Sequence, residues 1–368
     1  MGNVIDYCYW RGDLNYKQIP FNAVDAVVLC QLSYLNFTGI VDSHCNNPIP
    51  LRDVSEKFYH SPDFETRGFQ GTTQDKRTTP FLGQAADTER FGNLKVCGYT
   101  DQMNYDTEEQ FCAMTFLSDD WACIVFRGTD DSLLGWKEDM NMAYKDEIPS
   151  QIDAIRYVEA VADNIKGPLY IAGHSKGGNL AVYSAANVDR RIKKRIINVF
   201  NNDGPGFKKE FLESKTYLEI RDKIKNYIPE LSIVGMLFEH DDNYITIKSE
   251  GNGIQQHDLL FWQVKGGSFI ELNDRNSQSK FISKTVNEWY NSITKEEREK
   301  FIEAAFEVLN APELKTNSEI ADNLGKAGIQ FMKKLASFDS KSRNDMIKIL
   351  MLLAKYAYQN YHVMIKHK

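Results

Sequence analysis

The stretch LYIAGHSKGGNLAVYSAAN, residues 169–187, constrains the fold more than any other part of this sequence. Its apolar start, LYIAG, predicts a buried β-strand, and NLAVYSAAN has the periodicity of an amphipathic helix. Between them, GHSKG at 173–177 fits the pattern G-x-S-x-G. In that pattern a serine occupies a tight strand-to-helix turn, and the two glycines leave room for neighbouring backbone. We therefore expect Ser175 to be displayed at the edge of a sheet rather than packed inside the protein.

Apolar runs on both sides of this unit extend the alternation of strand and helix. Ser118-Asp119-Asp120 predicts a hairpin turn between two of the strands. The sequence predicts helices at 22–35, 150–165 and 176–187, and strands at 96–100, 112–117, 122–127, 168–172, 196–201, 223–228, 244–248 and 261–271. Strand, helix, strand, helix, strand is the pattern of a parallel sheet covered by helices. The predicted fold class is therefore α/β, with a mostly parallel central sheet flanked by helices.

The C-terminal part of the chain has a different pattern, because it is rich in helix-forming residues and lacks strand signals. Thr294 and Glu297 stand at the spacing of a capping box, which marks the start of a helix. Apolar residues recur at helical spacing, so these helices need a surface to pack on. The predicted helices are 295–309, 318–338 and 342–361.

These patterns divide the chain into two parts. We expect an α/β domain at residues 1–282 and a helical extension at 283–368 that packs on it. Within the first part, residues 61–93 are polar and glycine-containing and show neither helical nor strand periodicity. They predict a long loop or a broken helix, and long loops in compact domains often serve as lids.

Charge and hydropathy narrow the classes of function. The chain carries 44 Lys and Arg against 51 Asp and Glu, a net charge of −7, so it lacks the basic excess that neutralises nucleic-acid phosphates. Its most apolar C-terminal run, residues 346–354, is far shorter than the roughly 20 residues that span a bilayer. The N-terminal residues lack the basic and apolar regions of a secretory signal. We therefore expect a cytoplasmic protein with no nucleic-acid partner and no transmembrane segment.

Neither the cysteines nor the histidines form a metal-binding pattern. The six cysteines are scattered without C-x-x-C spacing, and in a cytoplasmic protein they are predicted to be reduced thiols in the core. The run Glu239-His240-Asp241-Asp242 combines imidazole and carboxylates, but adjacent residues rarely converge on one ion. We expect a solvated acidic loop there and no metal site.

Two stretches of the sequence resemble the class-three, fungal-type lipases, an α/β-hydrolase family. FRGT at 126–129, followed by Trp136 and Asp139, is similar to their F-R-G-[ST] and W-x-x-D, and GHSKGG at 173–178 to their G-H-S-x-G-G. This similarity spans roughly residues 94–270. The whole chain also resembles a bacterial protein family related to those lipases, through PFNAVDAVVL, NNDGPGF, IVGMLFEH and QQHD. The resemblance implies an α/β-hydrolase fold to which the C-terminal helices are an extension.

The serine of G-x-S-x-G is the nucleophile of an α/β-hydrolase, so the resemblance implies that role for Ser175. It also implies an oxyanion hole formed by the backbone N–H groups of Lys176 and Thr129. The residues themselves agree, because a Gly-Thr turn at the end of a strand can direct an N–H group towards a neighbouring strand-to-helix turn.

The catalytic base must be a histidine C-terminal to Ser175, because α/β-hydrolases keep the order serine, acid, histidine. Four histidines follow it: His240, His257, His362 and His367. His257 comes after a glycine-containing loop that follows a predicted strand, where the base of this fold lies, and it is the favoured candidate. His240 follows an apolar run and is the alternative, since the other two lie near the end of the helical tail.

The acid that orients the base has more than one candidate. Asp203 follows the predicted strand after the nucleophile helix, in NNDGPGF, and is the first choice. Glu230 stands where class-three lipases carry an aspartate, although here the residue is a glutamate with the proline before it. Asp241 and Asp242 are the remaining choices. Asp203 can also be read as a residue that caps the Gly-Pro-Gly turn.

These residues predict a serine hydrolase that cleaves carboxylic esters through an acyl-enzyme intermediate and needs no cofactor. The substrate implied by the resemblance is a lipid, and another small-molecule ester fits the same chemistry. The alternative is a catalytically silent protein of the same fold that binds or scaffolds a partner through its helical tail. Reaction with an active-site serine probe distinguishes the two.

Overall fold

The computed structural model describes residues 2–68, 76–241, 243–309, 333 and 336–366. Its strands are, in chain order, β1 Gly2–Asn3, β2 Ile49–Pro50, β3 Lys95–Asn104, β4 Glu109–Leu117, β5 Ala122–Phe126, β6 Leu169–His174, β7 Ile196–Asn202, β8 Ile224–Pro229, β9 Tyr244–Ile247, β10 Gln263–Lys265, β11 Ser268–Phe269 and β12 Glu271–Leu272. All except β1, β10 and β11 join one central sheet, and those three form a small separate sheet.

The central sheet has the strand order β12-β9-β8-β7-β6-β5-β4-β3-β2. Strands β5 to β9 run parallel to one another, and the strands at both edges pair antiparallel. The hairpin predicted around residues 118–120 joins β4 to β5. Because β5 to β9 are parallel neighbours, the residues that follow them lie along one edge of the sheet, which is where ligands bind in open α/β sheets.

Helices cover both faces of the sheet. They are α1 Val4–Arg11, α2 Ala23–Leu32, α3 Leu51–Tyr59, α4 Thr78–Ala86, α5 Glu89–Gly92, α6 Leu133–Asn141, α7 Pro149–Asn164, α8 Lys176–Asn187, α9 Arg190–Arg195, α10 Lys209–Leu212, α11 Lys215–Leu218, α12 Ser277–Ser292, α13 Lys295–Leu309 and α14 Ser340–Lys366. Short 3₁₀ helices are Phe64–Thr66, Arg221–Lys223, Val234–Met236, Gly253–His257 and Leu259–Phe261.

Alternate residues of each strand supply two hydrophobic cores, as the two-residue period of a strand requires. Met114 and Val125 pack with helices α1 to α4 on one face, whereas Ala113 and Ile124 pack with α7 and α8 on the other. The architecture is the α/β-hydrolase fold that the sequence predicts, with a sheet whose strands β5 to β9 are parallel between two helical layers, and with the predicted serine turn after β6.

The C-terminal helices pack on one another and on α6. Ile302 and Phe306 of α13 form a buried cluster with Tyr144, and Asn360 of α14 donates to Thr285 of α12 over 3.2 Å. The predicted helix 295–309 matches α13, whose capping box of Thr294 and Glu297 is present, and the prediction 342–361 lies within α14. The predicted helix 318–338 falls almost wholly outside the described residues. No helix in the described part of the chain is long and apolar enough to cross a lipid bilayer.

Two predictions from the sequence are wrong. Residues 261–271 are not one strand, because Gly266, at φ 67°, and Gly267 turn the chain back between β10 and β11, and only β12 joins the central sheet. The six cysteines are not all reduced, because Cys45 and Cys97 form a disulfide. The two are 52 residues apart in sequence, and such a spacing carries no pairing signal.

The described residues of the segment 61–93 contain regular structure. They form the 3₁₀ helix Phe64–Thr66 and the helices α4 and α5. Phe81 and Leu82 of α4 are buried in the core, so a short apolar face anchors this otherwise polar segment.

Candidate active site

Ser175 occupies the turn between β6 and α8 in a conformation that side chains rarely adopt, with φ 56° and ψ −131°. The glycines on either side make this turn possible. A Cβ atom on Gly173 would lie 1.9 Å from the carbonyl oxygen of Gly177, and one on Gly177 would lie 2.1 Å from that of Phe126. The backbone therefore packs too closely for side chains here, as G-x-S-x-G predicts, and the strain is of the kind that functional sites retain.

The turn at Gly128 and Thr129, which follows β5, lies directly beside this serine. A Cβ atom on Gly128 would approach the Cβ atom of Ser175 to 2.9 Å. Thr129 is held by its hydroxyl group, which donates to Oδ2 of Asp139 over 2.5 Å. Lys176 is the first residue of α8, and the first N–H groups of a helix have no intrahelical acceptor. Thr129, Ser175 and Lys176 all line the same cavity.

The side chain of Lys176 points into the protein interior. Its ammonium group donates to Oε2 of Glu138 over 2.7 Å and to the backbone carbonyl and side-chain oxygen of Gln110. Both members of the ion pair are almost completely buried. Only the backbone of Lys176 is thus available for chemistry at the serine.

His257 and Asp203 are joined by a hydrogen bond of 2.6 Å between Nδ1 and Oδ2. Asp203 follows β7 and is buried, and His257 ends the 3₁₀ helix Gly253–His257. The second carboxylate oxygen of Asp203 accepts a hydrogen bond of 2.5 Å from the hydroxyl group of Ser232. The carboxylate is therefore held from both sides, and it fixes the ring of His257, which lines the cavity together with Ser175.

The alternative candidates for the base and the acid make contacts outside the Asp203–His257 pair. The His240 ring nitrogen Nε2 is 2.9 Å from the backbone oxygen of Leu237, and burial lowers the pKa of His240 to about 4. Asp241 forms an ion pair with Arg221, and the pKa of Asp241 is lowered by that guanidinium group. Glu230 follows β8, and its backbone N–H donates to the backbone oxygen of Ile247. It is not among the residues that line the cavity. Asp242 lies outside the described residues.

His174, the residue before the serine, is buried and contacts two parts of the site. Its Nδ1 lies 2.7 Å from the hydroxyl oxygen of Tyr34, and its Nε2 lies 2.8 Å from the backbone oxygen of His257. The rings of His174 and His257 are 4.5 Å apart between centroids. Burial, with a smaller contribution from His257, holds the pKa of His174 well below its usual range. This histidine is therefore neutral.

A cavity of about 390 Å³ lies over Ser175 and His257. Its rim includes Trp136 and Ile254, which are 39% and 55% exposed. Helices α6, α12 and α13 supply its roof, and none of the described residues between 61 and 93 lines it. The wall is mostly apolar and includes Met140, Met142, Val234, Leu237, Phe238, Val286, Trp289, Tyr290, Ile293, Phe301 and Ile302.

Asp139 is a carboxyl group of the cavity wall whose ionisation is strongly altered. Burial raises the pKa of Asp139 from 3.8 to about 7, and the ammonium group of Lys176 opposes this only in part. Oδ2 accepts from Thr129, while Oδ1 is a buried atom with no hydrogen-bond partner among the described residues. Near neutral pH this carboxyl group changes its charge beside the proposed oxyanion turn.

Among the described residues, no group of three or more His, Cys, Asp or Glu could hold a metal ion. Asp242, in the acidic run 239–242, lies outside the described residues.

The sequence interpretation assigned no role to Tyr34, His174, Ser232 or Asp139. Asp139 belongs to the W-x-x-D pattern and His174 to G-H-S-x-G, but neither pattern indicates what these side chains do. Nothing in the sequence around Tyr34 or Ser232 points to the site, because both reach it only through the folding of distant segments.

The model of the Mbeg1-like family matches residues 85–307, more than half of the chain. The chain belongs to the Mbeg1-like family. The match begins within α4 and ends within α13, so it contains the serine turn, the Asp203–His257 pair and the roof of the cavity. No curated protein matches this Mbeg1-like chain.

Solved lipase structures show a weak similarity to this Mbeg1-like protein. A deletion mutant of the Rhizomucor miehei lipase propeptide complex is 18% identical, with a TM-score of 0.33, over 46% of this chain and 58% of that chain. A fungal lipase–inhibitor complex, described as a model for interfacial activation in lipases, is 17% identical, with a TM-score of 0.33, over 54% and 76%. A further fungal lipase structure is 14% identical, with a TM-score of 0.34, over 62% and 87%. This chain thus spans less than two thirds of the first of these.

Proposed function

We propose that this protein is a serine hydrolase that cleaves carboxylic esters through an acyl-enzyme intermediate. The observation that carries the proposal is the 2.6 Å hydrogen bond between His257 and Asp203. His257 lines the same cavity as Ser175, which is held in a strained strand-to-helix turn. A buried carboxylate bonded to Nδ1 leaves Nε2 of the imidazole as the atom that accepts a proton. The fungal lipases to which the chain is weakly similar are consistent with this chemistry.

In the proposed reaction, Oγ of Ser175 attacks the ester carbonyl carbon while its proton passes to Nε2 of His257. The carbonyl oxygen becomes an oxyanion, which the backbone N–H groups of Lys176 and Thr129 stabilise. The carbon–oxygen bond to the alcohol then breaks, and the alcohol leaves with the proton from His257. Water repeats the sequence on the acyl-enzyme and releases the acid. Asp203 keeps the imidazole oriented and stabilises its charged form.

The apolar cavity wall favours an ester with an apolar acyl or alcohol group. Side chains from α12 and α13, including Trp289 and Phe301, surround the space over the serine. Burial of each CH₂ group of a substrate against such a wall contributes about 0.8 kcal/mol. A lipid ester fits this wall, and so does a medium-chain ester of a small alcohol.

Hydrolysis of p-nitrophenyl acetate, butyrate and octanoate by the full chain tests this proposal. We expect turnover with all three, a higher kcat/KM for the longer acyl chains, and loss of activity in Ser175→Ala. Ser184→Ala is the matched control, because Ser184 is a buried serine of α8, the helix that follows Ser175, and its hydroxyl group donates to the backbone of Ala181. Activity that persists in Ser175→Ala, or absence of turnover by the folded protein, would contradict the proposal, and the second result would favour the silent scaffold protein.

The same substrates test the position of the acyl group. Val286 of α12 lines the cavity, so Val286→Phe narrows it. We expect the ratio of octanoate to acetate turnover to fall at least fivefold, while acetate turnover changes little. An unchanged ratio would place the acyl chain outside this cavity.

A further inference from the structure

Three separate segments meet around Tyr34 and His174. Tyr34 follows helix α2, Gly128 follows β5, and His257 ends a 3₁₀ helix near the C-terminal end of the α/β domain. Tyr34 and His174 are 4% and 6% exposed. The hydroxyl group of Tyr34 also accepts a hydrogen bond from the backbone N–H of Gly128, so closely that a Cβ atom on Gly128 would lie 2.3 Å from this oxygen.

The direction of each hydrogen bond follows from the chemistry of the groups. The backbone oxygen of His257 only accepts, so Nε2 of His174 carries a hydrogen and donates to it over 2.8 Å. A neutral imidazole carries one hydrogen, so Nδ1 has a lone pair and accepts from the Tyr34 hydroxyl over 2.7 Å. The oxygen of Tyr34 then keeps its lone pairs for the N–H of Gly128. The four groups form one chain in which every donor has an acceptor.

This chain connects the two halves of the proposed catalytic machinery. Gly128 lies next to Thr129, whose N–H is proposed to stabilise the oxyanion, and His257 is the proposed base. Ser175 lies between them and is adjacent to His174 in sequence. A displacement of about 1 Å in such an arrangement can lower a rate a hundredfold, so a buried connection between the two halves has a direct consequence for catalysis.

We propose that Tyr34 and His174 are positioning residues that hold the oxyanion turn and His257 at a fixed separation across Ser175. The proposal rests on the proposed ester hydrolysis. It extends the site to the N-terminal helical layer, because Tyr34 lies outside residues 85–307, which the family model matches. Tyr34 also lines the cavity, but the deletion of one hydroxyl group is expected to lower kcat more than it raises KM.

Tyr34→Phe tests this, with Tyr157→Phe as the matched control. Tyr157 is a partly buried tyrosine. Its hydroxyl group donates to the backbone oxygen of Gly98 over 2.8 Å, and it does not line the cavity. We expect Tyr34→Phe to lower kcat for p-nitrophenyl butyrate at least tenfold with KM within twofold of the wild type. Tyr157→Phe should keep kcat within twofold at a similar loss of melting temperature. Equal kcat values in the two variants would overturn the proposal.

Nitrogen-15 NMR of the histidine side chains in the full-length wild-type protein tests the hydrogen bonds without reference to activity. The signal of His174 is assigned by its loss in His174→Gln. We expect a neutral ring protonated at Nε2 and unchanged from pH 5 to 9. Protonation at Nδ1, or titration of His174 within this range, would overturn the relay even if Tyr34→Phe does not fold. If the wild type hydrolyses no ester while the NMR result stands, the proposed function fails and the relay is a structural network only.

Discussion

Nδ1 of His257 lies 2.6 Å from Oδ2 of Asp203, and the hydroxyl group of Ser232 bonds the other oxygen of the same carboxylate. Asp203→Asn should therefore lower kcat by about 10³- to 10⁴-fold, because the amide no longer fixes the imidazole tautomer or stabilises its charged form. The melting temperature should change by a few degrees at most, since asparagine keeps the volume and one acceptor oxygen.

Glu230→Gln is the comparison for this prediction. Glu230 lies outside the cavity wall, and we expect a loss of less than tenfold in kcat. The reverse pattern would transfer the role of the acid to Glu230, and the arrangement of the class-three lipases would then apply. Steady-state kinetics with p-nitrophenyl butyrate and thermal melts of both variants provide the measurements.

The dependence of activity on pH reports the proposed base. Only a neutral imidazole accepts the serine proton, so kcat/KM should fall as pH is lowered. His257→Ala should lose this activity at every pH. A flat profile between pH 5 and 8, or full activity of His257→Ala, would remove His257 from the mechanism.

Much of this site is predictable from the sequence because its signals are local. The turn around Ser175 is set by two glycines whose side-chain positions are occupied by backbone. Asp203 directly follows an apolar strand, and the order of serine, acid and histidine limits the choice of base. Parallel strands then bring these three residues to one edge of the sheet, so few arrangements remain.

The remaining features depend on long-range contacts that leave no local pattern. Tyr34 reaches His174 across 140 positions of sequence, and Cys45 pairs with Cys97 because the fold places them together. The roof of the cavity, which α6, α12 and α13 supply, could not be assigned from sequence, because helical periodicity does not show which surface a helix packs on. The error at residues 261–271 arose because a glycine pair within an apolar run was read as part of a strand.

Variants of the buried ion pair between Lys176 and Glu138 distinguish the proposed role of the Lys176 backbone from that of its side chain. Glu138→Gln leaves a buried ammonium group without its partner and should lower the free energy of unfolding by about 3–5 kcal/mol. Lys176→Met should also destabilise the fold but keep kcat within tenfold, because the N–H group proposed for the oxyanion hole belongs to the main chain. Urea unfolding and ester hydrolysis measure the two effects. A loss of kcat beyond a hundredfold in folded Lys176→Met would assign the chemistry to the ammonium group instead.

Asp139 should make stability depend on pH. The pKa of Asp139 is raised from 3.8 to about 7 by burial, so between these values the folded protein holds a proton that the unfolded chain has lost. Stability from this group is therefore greatest in acid and falls as pH rises to 7. Asp139→Asn keeps an acceptor for Thr129 and removes the ionisation. Its melting temperature should exceed that of the wild type by a few degrees at pH 8, and the difference should disappear near pH 4. If the difference in melting temperature between the two proteins is the same at every pH in this range, Asp139 has an ordinary pKa.

Reaction with a fluorophosphonate probe tests the central proposal most directly, because such probes form a covalent bond with an activated serine. Intact-mass spectrometry of the full chain should show one probe per molecule, and peptide mapping should place it on Ser175. Ser175→Ala should remain unlabelled, Ser184→Ala should label as the wild type does, and Asp203→Asn should label at least a hundredfold more slowly. Absence of labelling in the folded wild-type protein, or labelling that persists in Ser175→Ala, would contradict a serine hydrolase built on Ser175, His257 and Asp203.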